Sequence, residues 1–515
     1  MGGYEYIIVG GGTAGCVLAA RLSENPDVGV LLLEAGAAQG LEDTVNFLAM
    51  WGSSVDWAFR TTPQAGLDGV VLPAPRGKVL GGSSTINAMI HIRGHRTSYD
   101  VWEKGGATGW NFDALLPYFK RSEHATGDPR WRGVDGPMKP APAPAAEPGS
   151  FYYASFEAAL QSGVPRTEDG NGEHAEGVSR PELAMVDFVR QSAADAFLAP
   201  AMARSNLTVV TGAVVQRLVL SGGRCTGVEY VLDGQVHVVG ADREVVLAAG
   251  AVGSPQLLMV SGVGPAGHLR EVGVEVVEDL PGVGENLQDH PLAHMSFRSP
   301  EFLDDGKPPS QPLMVLRSDP AADPDLQLAI THLPMPARVP GEEFEPWGSS
   351  TWALKDTNGY SVIFCLMRPE SRGTVRLAGS DVLTAPLIDP GYYTDPRDLD
   401  KMVLALRTAR ELGNQDALAP FRVEELNPGA EVTGDKELRE YVKLATGSFF
   451  HLTGTCAIGT DDRAVVDPDL RVHGIEGLRV ADASVMPSVV AANTNATVLA
   501  IAERAADILI SSASR

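Results

Sequence analysis

The chain has 515 residues, more than one hydrophobic core usually holds, and this length predicts two domains. Hydrophobic residues make up 44% and charged residues 21%, which is ordinary for a globular protein, and no apolar run reaches the roughly 18–20 residues of a membrane-spanning helix. The formal net charge of −24 disfavours nucleic acid and anionic membrane surfaces as partners, because both bind clustered Lys and Arg.

Four cysteines, Cys16, Cys225, Cys365 and Cys456, lie far apart and follow no metal or disulfide spacing. Their usage predicts a reducing, cytoplasmic setting. The first residues lack the basic stretch, apolar core and small-residue cleavage site of a secretory signal, so none is predicted.

Residues 4–36, YEYIIVGGGTAGCVLAARLSENPDVGVLLLEAG, combine a short apolar strand, a glycine turn, a helix pattern and a second apolar strand. Gly10, Gly12 and Gly15 form G-x-G-x-x-G, in which glycines permit a tight turn and let the backbone approach a pyrophosphate at the helix N-terminus. Glu34 ends the second strand, where its carboxylate can accept hydrogen bonds from a ribose hydroxyl. In this order and spacing, the elements predict a site for an adenine dinucleotide, FAD or NAD.

The residue composition and the apolar/polar pattern change along the rest of the chain. A Pro/Ala-rich segment at 137–150 indicates a surface connection, and residues 206–252 alternate apolar and polar side chains between glycine turns, as strands and hairpins do. Residues 295–445 hold most of the remaining aromatics, with a helix pattern, LDKMVLALRTARELG, and a strand-like stretch, YSVIFCLM, suited to the floor of a pocket. The last 60 residues return to a Gly/Ala/Val-rich α/β pattern. This order predicts a nucleotide domain built from several segments and interrupted by a substrate-covering domain.

Two histidine pairs, His91 with His95 and His290 with His294, have a four-residue spacing that suits metal binding on a helix. A glycine lies within the first pair and a proline within the second, and neither pair has an evident third ligand. The sequence therefore predicts no metal site.

Several blocks carry a family resemblance in order and spacing: GKVLGGSSTIN at 77–87, GAVGSPQLLMVSGVG at 250–264, FHLTGT at 450–455, LRVADASVMP at 478–487 and NTNATVLAIAERAAD at 493–507. With them the chain resembles the glucose–methanol–choline (GMC) flavoprotein oxidoreductases over essentially its whole length. The resemblance implies an α/β fold in which a Rossmann-type FAD-binding domain carries an inserted α+β substrate-binding domain. The FAD-binding domain would comprise residues 1–150, 200–294 and 446–515, and the substrate-binding domain residues 151–199 and 295–445.

The resemblance also implies that FAD is the dinucleotide. The residues that would border it, beyond the three glycines, are Thr13, Ala14, Glu34 and Ala35 at the ADP half, Val214 at the adenine, Val79, Gly82, Asn87, Ala88, Met89 and Ile90 at the isoalloxazine ring, and Asp482 and Ala483 near the phosphates and ribityl chain. Some members bind FAD covalently through a histidine just before the asparagine of the first block. Ile86 stands at that position here, which predicts non-covalent FAD.

His451 and Asn495 match the two residues that face the flavin in the family. Alcohol oxidation needs a base for the hydroxyl proton, and a neutral imidazole suits this role because its ordinary pKa, about 6.5, lies near working pH. The amide of Asn495 would hold the developing alkoxide by a hydrogen bond. Asn493 takes this place if the spacing is shifted by two residues.

Phe450, Trp352, Phe364 and Leu366 are the predicted pocket walls. An aromatic pocket favours a primary alcohol on a flat or apolar substituent, such as a benzylic or furanic alcohol. It also admits a quaternary ammonium by cation–π contact, although no dedicated carboxylate is evident.

The predicted function is FAD-dependent oxidation of a primary alcohol to an aldehyde, with O2 reoxidising the flavin and giving H2O2. A dehydrogenase that uses another acceptor, a hydroxynitrile lyase of the same architecture and a flavin-binding protein without catalysis are the alternatives. The sequence assigns no oligomeric state.

Overall fold

The computed structural model describes residues 3–38, 47–303, 311–339, 354 and 356–513. Its first sheet is centred on the strand Tyr4–Val9, whose last four residues are buried, as their unbroken apolar sequence requires. Two neighbouring strands run parallel to it on either side. In spatial order the strands of this sheet are Leu207–Thr211, Val30–Glu34, Tyr4–Val9, Gln235–Leu247, Arg224–Leu232 and Val214–Ser221, and Leu478–Val480 pairs with Gln235–Leu247.

The first predicted unit, strand, glycine turn, helix and strand, is confirmed as Tyr4–Val9, Thr13–Leu22 and Val30–Glu34. The C-terminal helix pattern is confirmed as Asn495–Ser512, which packs against the helix Thr13–Leu22. Because parallel strands place their carboxyl ends at one edge of the sheet, the glycine turn and Glu34 lie at the same edge.

The second sheet is antiparallel in its described pairings. The predicted strand YSVIFCLM forms its centre as Gly359–Leu366, and the predicted helix Pro396–Gly413 packs on it. In spatial order the strands are Glu424–Asn427, Pro291–Arg298, Gly359–Leu366, Leu326–Thr331, Leu313–Leu316 and Gly177–Ser179, and Gly447–Ser448 pairs with Pro291–Arg298.

Two large hydrophobic cores follow from these sheets, one around the first sheet and one between the second sheet and its helices. The division into two domains stays a prediction. The second sheet does not respect the predicted domain boundaries. Its strand Pro291–Arg298 spans the boundary at position 294, and its strand Gly447–Ser448 lies past the boundary at position 446, in the segment assigned to the other domain.

In the part of the chain that the structure describes, α-helices and short strands accompany the two sheets. The α-helices are Thr13–Leu22, Ser83–Ile86, Arg96–Lys104, Phe112–Ser122, Phe151–Gln161, Ala199–Ala201, Gly250–Val260, Ala266–Glu271, Pro396–Gly413, Asp435–Ala445 and Asn495–Ser512. The short strands outside the two sheets are Phe59–Arg60, Pro73–Ala74, Ile90–His91, Ala141–Pro142, Glu182–Leu183, Met185–Val186, Val189–Arg190, Val263–Gly264, Glu278–Asp279, Thr374–Arg376 and Leu387–Asp389. Among the described helices, none has the length and apolar character to cross a bilayer.

Candidate active site

A cavity of about 800 Å³ lies between the glycine turn of the first sheet and one face of the second sheet. Gly10, Glu34 and Val214 line it at the first sheet, and His451 and Asn493 line it beside the second. The volume lies within the range of ordinary ligand and cofactor pockets. One continuous cavity therefore joins the predicted dinucleotide residues to the predicted base.

The glycine turn depends on the absence of side chains at two of its positions. Gly10 has a φ of 103°, and a Cβ there would lie 2.7 Å from the carbonyl oxygen of Ala248. Gly15 lies inside the helix Thr13–Leu22, and a Cβ on it would lie 1.8 Å from the carbonyl oxygen of Gly10. Gly10 thus permits the turn and Gly15 permits close packing of the helix on the strand, which leaves the helix N-terminus open to the cavity.

Glu34 is held at the edge of the cavity by two backbone hydrogen bonds. Gly11 N donates to its Oε2 at 2.7 Å and Gly36 N donates to its Oε1 at 2.8 Å. Burial raises the pKa of Glu34 to about 7, and the two amides oppose that shift. Each carboxylate oxygen keeps a further lone pair, so Glu34 can still accept a hydrogen bond from a ribose hydroxyl.

Most of the predicted cofactor residues line this cavity. They are Gly10, Gly12, Thr13, Ala14, Glu34, Ala35, Gly82, Asn87, Ala88, Met89, Ile90, Val214, Asp482 and Ala483. Gly15 is set back in its helix, and Val79 is buried in a small cluster with Met50, Val55 and Ile86. The open glycine turn, the carboxylate of Glu34 and the size of the cavity fit an adenine dinucleotide.

Asp482 has its carboxylate committed to the protein. Oδ2 accepts hydrogen bonds from Gly250 N at 2.8 Å and from Ser254 Oγ at 2.6 Å, and Oδ1 accepts from Ser484 N at 2.8 Å. These contacts fasten the start of the helix Gly250–Val260 to the loop after the strand Leu478–Val480. The Asp482 side chain therefore shapes the cavity wall by positioning backbone.

His451 lies in the wall of the cavity with 9% of its surface exposed. Its Nδ1 is 2.9 Å from Nδ1 of His290, and its Nε2 is 3.3 Å from Nδ2 of Asn493. Its backbone N–H donates to Oδ1 of Asp289 at 2.7 Å, and the same carboxylate accepts from the hydroxyl of Ser448. Asp289 thereby fixes the loop that carries the imidazole.

The pairing of His451 with Asn495 was wrong in geometry. Asn495 begins the helix Asn495–Ser512, and its Oδ1 accepts a hydrogen bond from Thr13 Oγ1 at 3.0 Å. The structure instead brings Asn493 to His451, the alternative reached by a shift of two residues. Both asparagines line the cavity, but their side chains hydrogen-bond to different residues.

The hydrogen bonds around His451 have one consistent direction. Gln327 Nε2 donates to Oδ1 of Asn493 at 3.3 Å, so the amide nitrogen of Asn493 is the end that faces His451 Nε2. An N–H donor at that position requires a lone pair on Nε2, so the proton of neutral His451 is on Nδ1. Nδ1–H then donates to Nδ1 of His290. The unprotonated nitrogen of His451 is therefore the one beside Asn493.

The charge state of His451 is set by its surroundings. Burial, the neighbouring His290 and the guanidinium of Arg76 together hold the pKa of His451 well below its ordinary value. His290 is itself fully buried, which lowers its pKa to about 3. Both imidazoles are therefore neutral at neutral pH, and His451 can accept a proton.

Of the predicted pocket walls, Phe450 lies at the cavity, whereas Phe364 and Leu366 do not. Phe450 lines the cavity, and its ring centroid lies 4.5 Å from that of Trp51. Phe364 and Leu366 are fully buried in the core on the other face of the second sheet, because side chains alternate along a strand. Their neighbours Ile363 and Cys365 line the cavity instead.

Trp352, the fourth predicted wall residue, lies outside the described residues. Among the described residues, no group of three His, Cys, Asp or Glu side chains is arranged to hold a metal ion. His91 is paired with Glu123 at 3.3 Å, and His290 with His451.

Sequence profiles of the GMC oxidoreductase family match residues 4–292 and 369–502. Mitochondrial choline dehydrogenase of Homo sapiens is 38% identical over 98% of this chain and 89% of the human protein. Oxygen-dependent choline dehydrogenase of Vibrio vulnificus is 37% identical over 98% of this chain and 94% of that protein.

Two solved structures are also similar. Pyridoxine 4-oxidase from Mesorbium loti has a TM-score of 0.90 and 36% identity, over 98% of each chain. A variant of formate oxidase from Aspergillus oryzae has a TM-score of 0.89 and 28% identity, over 99% of this chain and 98% of that one. The fold is thus the predicted α/β fold of a Rossmann-type flavoprotein. The chain belongs to the GMC oxidoreductase family, whose members bind FAD and act on alcohols.

Proposed function

We propose that the protein oxidises a primary alcohol to an aldehyde, with His451 as the base and O2 as the electron acceptor, giving H2O2. One observation carries the proposal: the buried imidazole of His451, whose pKa is held below its ordinary value, lies with Nε2 3.3 Å from the amide nitrogen of Asn493 in the wall of the dinucleotide cavity. A neutral imidazole beside an amide donor is the pair of groups that removal of a hydroxyl proton needs.

The cavity residues described above would hold FAD, with Glu34 at a ribose and the glycine turn at the pyrophosphate. When bound, FAD supplies the acceptor for the hydride that leaves the alcohol carbon. The side chains of the protein supply the proton acceptor, the hydrogen-bond donor and the exclusion of water. His451 Nε2 accepts the hydroxyl proton, Asn493 Nδ2 donates a hydrogen bond to the substrate oxygen as it gains negative charge, and Phe450 helps to exclude water from the reacting groups.

The choice of O2 as acceptor is supported by the names of relatives. The relative from Vibrio vulnificus is an oxygen-dependent choline dehydrogenase, and two similar structures are oxidases. Stopped-flow mixing of the reduced enzyme with air-saturated buffer tests this choice. Rapid return of the yellow flavin is expected, and a flavin that stays bleached until an artificial acceptor is added would identify a dehydrogenase instead.

A lyase of the same architecture is the rival from another enzyme class. Anaerobic mixing with benzylic, furanic, aliphatic and amino alcohols separates the two. Bleaching of the flavin by an alcohol is expected and excludes a lyase without net redox chemistry. A flavin that stays yellow with all of them, together with cleavage of a hydroxynitrile, would replace the proposal by the lyase.

Non-covalent FAD is the expected binding mode. Ile86 lines the cavity at the position where a histidine would form the covalent bond, and its side chain has no nucleophile. Acid precipitation of the holoenzyme should therefore release all of the flavin into the supernatant and leave a colourless pellet, as measured by absorbance. A pellet that keeps the yellow colour would contradict this binding mode.

Activity should persist at mildly acidic pH. His451 acts as a base only when neutral, so the rate falls as pH falls through its pKa, which burial, His290 and Arg76 lower. An ordinary imidazole with a pKa of about 6.5 would lose about tenfold between pH 7.5 and pH 5.5. We expect a loss of less than about twofold in the rate constant for flavin reduction over this interval. A tenfold fall would show that His451 keeps its ordinary pKa or is not the base.

A cytoplasmic location remains a proposal. It is supported by the four cysteines, all of which are buried and free.

A further inference from the structure

The residue before the base has a backbone conformation that a side chain disfavours. Phe450 has a φ of 64°, in the left-handed region, where a residue other than glycine is strained. Such strain persists only where the surroundings fix the chain. The contacts of Phe450 therefore decide where the next side chain, the imidazole of His451, lies.

Asp289 holds one side of this loop. The N–H of Phe450 donates to Oγ of Ser448 at 2.7 Å, and that hydroxyl donates to Oδ2 of Asp289. The N–H of His451 donates to Oδ1 of the same carboxylate at 2.7 Å. Asp289 lies just before the strand Pro291–Arg298, so these hydrogen bonds tie the loop to the second sheet.

Arg76 holds the other side of the loop. Its Nη1 donates to the carbonyl oxygen of Phe450 at 2.9 Å and to that of Pro75 at 3.0 Å, and its backbone N–H donates to Oδ1 of Asp56 at 2.8 Å. Arg76 lines the cavity and immediately precedes the block at 77–87, several residues of which line the same cavity. Arg76 therefore connects the dinucleotide part of the site to the loop that carries the base.

The charges nearest His451 have opposing effects on its protonation. The imidazole of His290 contacts its Nδ1, and the carboxylate of Asp289 accepts from its backbone N–H and from the hydroxyl of Tyr392. The guanidinium of Arg76 opposes protonation of His451. Because arginine stays charged in proteins, Arg76 is a permanent cation near a base that works only when it is neutral.

We infer that Arg76 is a positioning residue that keeps the imidazole of His451 beside Asn493 by holding the strained backbone of Phe450. This inference rests on the proposed alcohol oxidation and requires no contact between Arg76 and the alcohol. It assigns the charge of Arg76 a second effect, which is to keep His451 unprotonated in mild acid. The two effects change the rate in opposite directions, because a fixed loop keeps the base within reach whereas a nearby cation weakens it.

The test measures the anaerobic rate constant for flavin reduction from about pH 4.5 to about pH 9, with bound FAD counted by absorbance. Arg76→Met removes both the donor to Phe450 and the charge. At alkaline pH, where His451 is neutral in every variant, Arg76→Met should be slower than the wild type by about tenfold or more. Loss of the charge alone would make the base stronger, so a slower enzyme shows that the base has lost its position.

The acid limb of the same profile, where the rate falls with pH, tests the charge. In Arg76→Met this limb should lie at a higher pH than in the wild type, because the pKa of His451 rises when the cation is removed. Arg76→Lys keeps a cation and a donor, so its acid limb should match the wild type and its alkaline rate should lie between the other two. Arg76→Gln is a second neutral variant, which decides the question if Arg76→Met does not retain FAD.

Arg338→Met is the matched control. The guanidinium of Arg338 also donates to backbone carbonyl oxygens, those of Lys443 and Thr446, but Arg338 does not line the cavity. Its replacement removes a cation and two backbone contacts close to the same loop in the sequence. Its acid limb should stay at the position of the wild type.

A wild-type rate at alkaline pH in Arg76→Met, an acid limb that does not move in either neutral variant, or an equal movement in Arg338→Met would each overturn the inference. Each of these results would leave alcohol oxidation intact. A wild type whose flavin is bleached by no alcohol would refute the proposed function, and the inference with it.

Discussion

Replacing His451 with alanine is expected to slow flavin reduction by the alcohol at least a hundredfold while FAD stays bound. General-base catalysis of this kind contributes roughly 10²–10⁴ in rate. Of the two described histidines that line the cavity, His451 contacts Asn493 and His332 contacts the hydroxyl of Tyr152. The imidazole contacts His290 and Asn493, and the backbone N–H of His451 donates to Asp289; none of these residues belongs to the glycine turn. The measurement is the anaerobic rate constant for flavin bleaching, with bound FAD counted by absorbance.

His294→Ala is the control for the loss of a buried imidazole. His294 lies in the strand Pro291–Arg298, is buried and does not line the cavity. Its removal tests whether loss of side-chain packing in the second sheet alone slows the reaction. We expect the rate constant for flavin bleaching to fall less than about tenfold. A His451→Ala enzyme that bleaches as fast as the wild type would remove the role assigned to His451.

Replacing Asn493 with alanine is expected to slow flavin reduction by roughly 10²–10³-fold, the usual cost of losing a preorganised donor to a developing oxyanion. Asn493 Nδ2 lies 3.3 Å from His451 Nε2, so one substrate oxygen beside the pair can lie within hydrogen-bond distance of both groups. Gln327 holds the amide in this orientation. The same anaerobic stopped-flow measurement applies.

Asn495→Ala is the discriminating variant, because it tests the residue that the sequence had favoured. Its side chain accepts from Thr13 at the N-terminal helix, so its loss should act through the cofactor region. We expect its effect on the rate constant to be at least about tenfold smaller than that of Asn493→Ala. The opposite order would restore Asn495 to the catalytic role.

The dinucleotide half of the site could be read from sequence because its determinants are local. One glycine turn, one helix N-terminus and one acidic residue within 4–36 fix the geometry, and backbone sterics demand glycine at Gly10 and Gly15. The blocks that carry the family resemblance placed the remaining cavity residues, and most of them line the cavity.

The catalytic half was harder because it depends on register. A shift of two residues separates Asn493 from Asn495, and the start of the helix Asn495–Ser512 decides which side chain turns towards His451. A shift of one residue separates Phe364 from Cys365, and strand pairing decides which of them faces the cavity. Composition does not encode either choice.

Other residues of the site gave no usable signal in the sequence. His290 stood out only as half of a metal-like pair, although it contacts His451 from 161 positions away. Gln327 is one polar residue in a strand whose partners lie on two other strands. Both roles arise from long-range packing of the second sheet against the loop at His451.

The most direct test of the account is a crystal structure of the holoenzyme with a non-oxidisable alcohol analogue bound. The account predicts FAD in the cavity behind the glycine turn, with Nε2 of His451 and Nδ2 of Asn493 both within about 3 Å of the analogue oxygen. An imidazole turned away from the flavin, or a glycine turn with no dinucleotide against it, would contradict the account.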